Sequence, residues 1–136
     1  MSDNRSDGGR VSSPKPRWPA LWVRAALRTA VLQTLEPGPL HGYGIALALS
    51  DAGFGRPKGG SLYPILEELV ADGCMVASWR EGDGGPGRKV YELTEAGTDR
   101  LGHEREQWNA LAAALNAGAA MGRRNAGSLE SAGSEE

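Results

Sequence analysis

A short segment, Gly59 to Pro64, combines residue types that suit close contact with an anionic partner. It reads GGSLYP, and Lys58 precedes it. The first N–H groups of a helix have no partner within the helix, and they attract anions. Glycine and serine at that end would let the backbone approach a phosphate closely, which explains why such poor helix formers open a helix. The alternative is that the two glycines form only a loop that leads into a core helix.

A second cationic feature follows the glycine-rich run GDGGPG, where Arg88 and Lys89 stand side by side. Cations that leave the tip of a hairpin are suited to phosphate contacts. The alternative for each of them is solvated surface. Tyr63 has two interpretations as well: its hydroxyl could donate to a phosphate, or its ring could serve a mainly structural role.

The sequence lacks the residue sets of an enzyme or a metal site. It has no nucleophile–base set, and GDGGPG lacks the Gly-Lys-Ser/Thr that completes a phosphate-binding loop. With one cysteine, Cys74, and two histidines, His41 and His103, a zinc site within one chain is not expected. We therefore predict no catalytic residue, no metal and no cofactor, and we interpret Cys74 as a small buried hydrophobe, with a redox-sensing thiol as the alternative.

The bulk composition is that of one small globular domain. The chain has 136 residues, 40% of them hydrophobic and 24% charged, with a net charge of −2. No apolar run is long enough to cross a bilayer and no secretory signal opens the chain, so a cytoplasmic location is expected. Because the overall balance is acidic, any nucleic-acid contact must come from a local patch.

Hydrophobic spacing predicts four helices and a hairpin. In the third helix Leu62, Ile65, Leu66, Leu69 and Val70 fall at i, i+3, i+4, i+7 and i+8, which is one buried face. The other predicted elements are a first helix opened by Pro19, with Leu27, Ala30, Val31 and Leu35 facing inward; a second helix over HGYGIALALSDAG; two strands, MVASWREG and RKVYELT; and a last helix capped by Thr94, from about Glu95 to Ala117.

This order of elements predicts an α+β, mainly α fold: a winged helix-turn-helix of three helices and a β-hairpin wing, with an appended C-terminal helix. The domain boundaries expected are a disordered tail over 1–17, the winged-helix domain over 18–94, the last helix over 95–117 and a second disordered tail over 118–136. In such a fold the N-terminal residues of the third helix are nearest the base edges in the major groove. Pro64 lies at or next to its first turn, so it removes at most about one backbone hydrogen bond.

Three segments resemble the PadR-like transcriptional regulators. They are GPLHGYGIALAL from Gly38, GGSLYPILEELVADGCM from Gly59 and GPGRKVYELTEAG from Gly85. The order and spacing of His-Gly-Tyr, Leu-Tyr-Pro and Tyr-x-Leu-Thr-x-x-Gly are specific together, and the similarity covers roughly residues 24–117. Basic or polar residues are common in the family where this chain has Glu67 and Glu68. These two carboxylates would repel phosphates if they faced a duplex, unless one of them accepts a hydrogen bond from a cytosine amino group.

The resemblance implies a homodimeric, sequence-specific DNA-binding repressor with a palindromic operator. The DNA-binding residues that it implies are Lys58, Gly60, Ser61, Tyr63, Pro64, Arg88 and Lys89. In the last helix Leu101, Trp108, Leu111 and Leu115 are seven, three and four residues apart, which is a heptad seam. We expect this seam to form the dimer interface; the alternative is that it packs on the first helix of the same chain.

Some PadR-like regulators hold flat ligands against an aromatic residue of this last helix. Trp108 is the corresponding candidate for binding a small aromatic effector that relieves repression, and core packing is the alternative role. The alternative function for the whole chain is a winged-helix protein–protein interaction module without specific DNA binding. The acidic balance and Glu67 and Glu68 are the features that favour that alternative.

Overall fold

The computed structural model describes residues 15–82 and 84–132. In that part of the chain four helices and three strands are present. In chain order they are α1 (Ala20–Thr34), β1 (Leu40–His41), α2 (Gly42–Asp51), α3 (Gly59–Ala71), β2 (Met75–Gly82), β3 (Gly85–Leu93) and α4 (Glu95–Ala132). This is the predicted winged helix-turn-helix with an appended helix, and the predicted fold class is confirmed.

The core is built from the stripes that the helical spacing predicted. On α1 the side chains of Leu27, Ala30 and Val31 are buried, and Leu35 just after the helix is buried too. On α3 the buried side chains are Leu62, Ile65, Leu66 and Leu69, with Val70 packed at the edge of the core. Burying each large aliphatic side chain stabilises the fold by about 1.5–3 kcal/mol. Because α3 uses one face for this burial, its opposite face is left to solvent.

The sheet contains one strand that the sequence did not predict. Its strands lie in the order β1-β3-β2, and both pairs are antiparallel. Strand β1 has only two residues, with Leu40 opposite Tyr91 and His41 opposite Val90. Two residues are too short for an alternating pattern, so pairing with β3 alone defines this strand. The wing also starts earlier than predicted, since β3 begins at Gly85 and not at Arg88.

A glycine ends α3 and a threonine caps α4, at the positions that the sequence indicated. Gly73 has a φ of +79° and follows the end of α3. Thr94 caps α4: its Oγ1 accepts a hydrogen bond from the Gly97 N–H at 3.0 Å and donates to the Gly73 carbonyl at 2.6 Å. A Cβ at Gly97 would overlap the Cys74 carbonyl oxygen, so the start of α4 contacts the start of β2 backbone to backbone. Cys74 is buried, as predicted.

Two predicted boundaries differ from the structure. The end of the N-terminal segment is fixed, because the Arg17 N–H donates to the Gly53 carbonyl at 2.8 Å and the rings of Trp18 and Phe54 lie 5.3 Å apart. Helix α4 continues to Ala132, past the predicted end at Ala117. The alanines and long side chains of this segment are strong helix formers, and its glycines lower that preference without removing it. The rest of the two predicted tails, residues 1–14 and 133–136, lies outside the described residues.

The chain forms two compact units, one up to Leu101 and the other from Gly102 onward. Leu101 is only 1% exposed and belongs to the core that includes Met75 and Tyr91. Its assignment to the dimer seam is therefore corrected: it comes early in α4, where the helix still packs on its own winged domain. Within the described residues, no helix has the length and apolar character needed to span a membrane.

Candidate nucleic-acid interface

The opening of α3 is exposed and leaves its backbone accessible. Lys58 precedes the helix, and its carbonyl accepts hydrogen bonds from the N–H groups of Ser61 and Leu62, both at 2.9 Å. The N–H groups of Gly59 and Gly60 belong to the first turn, where no earlier helical carbonyl exists to accept them. A Cβ placed on Gly60 would meet no atom within 4 Å, apart from the backbone of its own helix. This tip can therefore come close to another molecule without clashing with its own fold.

Pro64 lies inside α3, in the turn next to the first. Because the helix begins at Gly59, Pro64 is in its second turn and cannot donate to the carbonyl of Gly60. The cost is still a single backbone hydrogen bond. Ser61 and Pro64 are both exposed on this helix.

Tyr63 combines a structural contact with exposure. It remains 46% exposed, yet a Cβ on Gly42 would lie only 2.5 Å from its hydroxyl oxygen. Gly42 is the first residue of α2, so the ring of Tyr63 packs against the start of the preceding helix. Both roles considered for Tyr63 are compatible with this geometry: the ring spaces α2 from α3, and its edge faces solvent.

The wing presents cations on both of its strands. Arg80 of β2 is opposite Arg88 of β3, and Trp79 is opposite Lys89. The Arg88 guanidinium donates to Nε2 of His41 at 3.3 Å, because a guanidinium has only donors. Like charges opposite each other disfavour a strand pair, so the Arg80–Arg88 pair costs stability. The pair concentrates positive charge on the wing.

A groove of about 750 Å³ separates the exposed face of α3 from the wing. Four aromatic side chains, two cations and one carboxylate are among the residues that line it. These residues are Tyr43, Tyr63, Trp79, Tyr91, Arg88, Lys89 and Glu67. Burial raises the pKa of the Tyr91 hydroxyl above its ordinary value.

The two carboxylates of α3 lie in different surroundings. Glu67 lines the groove beside the wing. Glu68 accepts two hydrogen bonds from Arg28 of α1, from Nε to Oε2 and from Nη2 to Oε1, each 2.7 Å long. These bonds hold the pKa of Glu68 below its usual range. The repulsion expected of Glu68 is thus offset within the chain, whereas Glu67 faces the groove.

A second groove, of about 530 Å³, lies on the α1 side of α3 and includes Ser61 and Pro64 in its lining. Arg24 and Arg56 are among its other lining residues. The Arg56 guanidinium donates to the Tyr43 hydroxyl at 3.3 Å and lies 5.8 Å from the centre of that ring. Cations therefore border the tip of α3 on this side as well as on the wing side.

The residues expected at the nucleic-acid contact lie on two elements, five of them at the start of α3 and two on β3. Tyr63 lines the wing-side groove with Arg88 and Lys89, whereas Ser61 and Pro64 line the second groove. The sequence analysis did not name six others that line the two grooves or lie on the wing. They are Arg24, Arg28, Tyr43, Arg56, Trp79 and Arg80. The sequence could have indicated Trp79, because strand alternation places it on the same face as buried Met75 and half-buried Ala77. It lies past the edge of the core and is 72% exposed. Among the described residues, no group of three or more His, Cys, Asp or Glu side chains could hold a metal ion.

The exposed recognition helix, the hairpin wing beside it and the cations around both define a winged-helix protein of the DNA-binding type. Residues 31–103 match the model of the transcriptional regulator PadR-like family. Among curated proteins the chain is 38% identical over 89 residues to the transcriptional regulator Rv3488 of Mycobacterium tuberculosis, covering 65% of this chain and 81% of that protein.

Solved structures agree with this match. A PadR family transcriptional regulator from Eggerthella lenta has a TM-score of 0.64 at 28% identity, with 71% of this chain and 83% of that chain covered. A transcriptional regulator from Streptococcus has a TM-score of 0.62 at 26% identity, with 71% and 94% covered. The chain belongs to the PadR-like family of transcriptional regulators.

Proposed function

We propose that this protein binds a specific DNA sequence as a homodimer and represses transcription in the cytoplasm until a small effector releases it. One observation carries the proposal. The tip of α3 is open to solvent at Gly60 and Ser61, and cationic side chains flank it on both sides. An exposed helix tip with unpaired N–H groups between cations fits the phosphates and base edges of a duplex.

In this proposal the parts of the surface have different tasks. Ser61, at the exposed tip, contacts base edges in the major groove, and Pro64 contacts the apolar surface of the same groove. Lys58 and the first N–H groups of α3 bind phosphate. Tyr63 holds α2 and α3 in register and donates its hydroxyl to the backbone of the duplex.

The wing binds the neighbouring sugar–phosphate strand. Arg80, Arg88 and Lys89 neutralise phosphates, and Trp79 packs its indole on a deoxyribose between them. Contacts of this kind set the position of the protein and the salt dependence of its affinity, and they do not read the sequence.

The dimer forms through the exposed apolar residues of α4. Leu111 and Leu115 are 50% and 71% exposed, and Trp108 precedes Leu111 by three positions. A second copy of α4 would cover this stripe. Two-fold symmetry would place two α3 tips about one turn of DNA apart, ~34–36 Å, on a palindromic operator. A flat aromatic effector held against Trp108 at this interface would change the spacing of the two tips.

Anisotropy titrations with a fluorescent duplex from the protein's own promoter, and with a shuffled duplex of the same composition, test DNA binding. We expect tighter binding to the promoter and an affinity that falls steeply with salt. Equal affinity for both duplexes, or no binding at low salt, would favour the alternative function as a protein–protein interaction module, which Glu67 in the groove would suit.

Substitutions distinguish residues that read the base sequence from residues that position the protein on the phosphates. Lys89→Ala is expected to weaken binding to every duplex. It should also reduce the slope of log affinity against log salt concentration by about one, which corresponds to the loss of one phosphate contact. Lys89→Arg is the matched control, because it keeps the charge and should keep the slope. Ser61→Ala is expected to change the preference among operator variants while leaving the salt slope unaltered. If Lys89→Ala bound all duplexes as the wild type does, the wing would not contact DNA.

A further inference from the structure

Arg28 is committed to an ion pair beside the proposed DNA-reading face. Its guanidinium bonds both oxygens of Glu68, each at 2.7 Å, so the two planar groups meet side by side. Both side chains are 42% exposed, which leaves the pair open to the electric field of a bound polyanion.

Glu68 lies one helical turn beyond Pro64 on α3. Residues four apart are neighbours on a helix surface, so the carboxylate borders the proposed contact surface. It also follows Glu67, which lines the wing-side groove. Two ionised carboxylates at this position would oppose an incoming phosphate strand.

Protonation does not remove the charge of Glu68. The hydrogen bonds from Arg28 lower its pKa, so the group is fully ionised at neutral pH. The hydrogen bonds and the charge of Arg28 lower the pKa of Glu68, and the charge of Arg100 lowers it to a smaller extent.

We propose that Arg28 is a positioning residue for DNA binding: it contacts no DNA, and it keeps the Glu68 carboxylate neutralised and turned toward α1. The inference rests on the proposed function, since it concerns the same DNA-binding face. Without Arg28, the freed carboxylate would repel the duplex from the middle of the recognition helix.

A double-mutant cycle tests this assignment, with affinity for the promoter duplex measured at low salt. Arg28→Met keeps much of the apolar stem and removes the charge, and we expect it to weaken binding by about threefold or more, the effect of one uncompensated charge about 10 Å from the phosphates. Glu68→Gln alone is expected to tighten binding. The double variant, Arg28→Met with Glu68→Gln, is expected to bind about as tightly as Glu68→Gln alone, because no carboxylate is left for Arg28 to neutralise.

The effect of Arg28→Met in the two backgrounds distinguishes this role from direct contact. If Arg28 bound a phosphate itself, Arg28→Met would weaken binding as much in the Glu68→Gln background as in the wild type, and the inference would be wrong. Unchanged affinity in Arg28→Met would also overturn it, while specific binding by the wild type would leave the proposed function intact.

Two measurements guard against a merely structural effect. Arg100→Met breaks the ion pair with Asp72, whose length is 3.3 Å and which lies at the far end of α3. We expect that control to change affinity much less than Arg28→Met does. Urea unfolding of each variant shows whether it is folded under the conditions of the titration. If Arg100→Met weakened binding as much as Arg28→Met, the effect would be one of charge anywhere on the domain, and the specific role of Arg28 would be refuted.

Discussion

Substitutions at Gly60 can distinguish an effect on folding from an effect on DNA binding, because we expect them to raise the free energy of unfolding and to lower the affinity for DNA. Glycine is unfavourable in a helix relative to alanine by about 0.5–1 kcal/mol. A Cβ at Gly60 meets no atom within 4 Å outside its own helix backbone, so a side chain there has no packing cost. Gly60→Ala is therefore expected to raise the free energy of unfolding by up to that amount, and Gly60→Leu to raise it slightly less.

The same side chain would occupy the space through which the helix tip meets DNA. A hydrogen bond between a backbone N–H and a phosphate contributes about 1.5–3 kcal/mol. Losing one such bond corresponds to a loss of roughly 10- to 150-fold in affinity. We expect Gly60→Leu to lose at least the lower figure for the promoter duplex, with Gly60→Ala between Gly60→Leu and the wild type.

Urea unfolding and anisotropy titration measure the two effects on the same preparations. Gly42→Ala is the contrasting variant, since its Cβ would be 2.5 Å from the Tyr63 hydroxyl oxygen and the fold itself should weaken. Gly102→Leu is the matched control: this exposed helical glycine of α4 also has nothing within 4 Å of its Cβ position. If Gly60→Leu were folded and bound the promoter duplex as tightly as the wild type, the tip of α3 would not approach DNA.

Three further predictions concern stability and assembly. Gly97→Ala would place a methyl group onto the Cys74 carbonyl, so we expect a loss of about 1–3 kcal/mol in unfolding free energy by urea titration, and no loss would show that α4 can shift. The ion pair of Glu68 stabilises the fold fully above the ordinary glutamate pKa of about 4.3, and this stabilisation is lost as the pH falls through the lowered pKa of the folded state. Glu68→Gln should therefore remove that part of the pH dependence of the unfolding free energy. Identical pH profiles for the variant and the wild type would contradict the pairing with Arg28. Leu111→Asp should sediment as a monomer where the wild type sediments as a dimer, because a carboxylate in the seam would be desolvated; an unchanged mass would exclude this seam as the interface.

The charge assignments show where reasoning from the sequence reached its limit. Glu67 and Glu68 are adjacent in sequence and were equivalent as objections to DNA binding. Only the packing of α1 against α3 separates them, by placing Arg28 on one carboxylate and leaving the other in the groove beside the wing. A contact between residues 40 positions apart leaves no trace in local composition.

The heptad seam illustrates the same limit. The spacing of its apolar residues was visible in the sequence, but that spacing did not indicate which of them packs in the core of its own chain. The structure buries Leu101 and leaves Leu111 and Leu115 exposed, so the stripe divides between two environments along one helix.

The sequence by itself determined the helices with strong apolar stripes, the residues that end or cap them, and the hairpin, because these depend on side-chain periodicity and on the local conformational preferences of glycine, proline and threonine. The tertiary structure alone decided the two-residue strand β1, the exposure of Trp79 beyond the core edge, and the pairing of Arg28 with Glu68. Each of these depends on how close distant segments come to each other, and that distance is set only when the core packs.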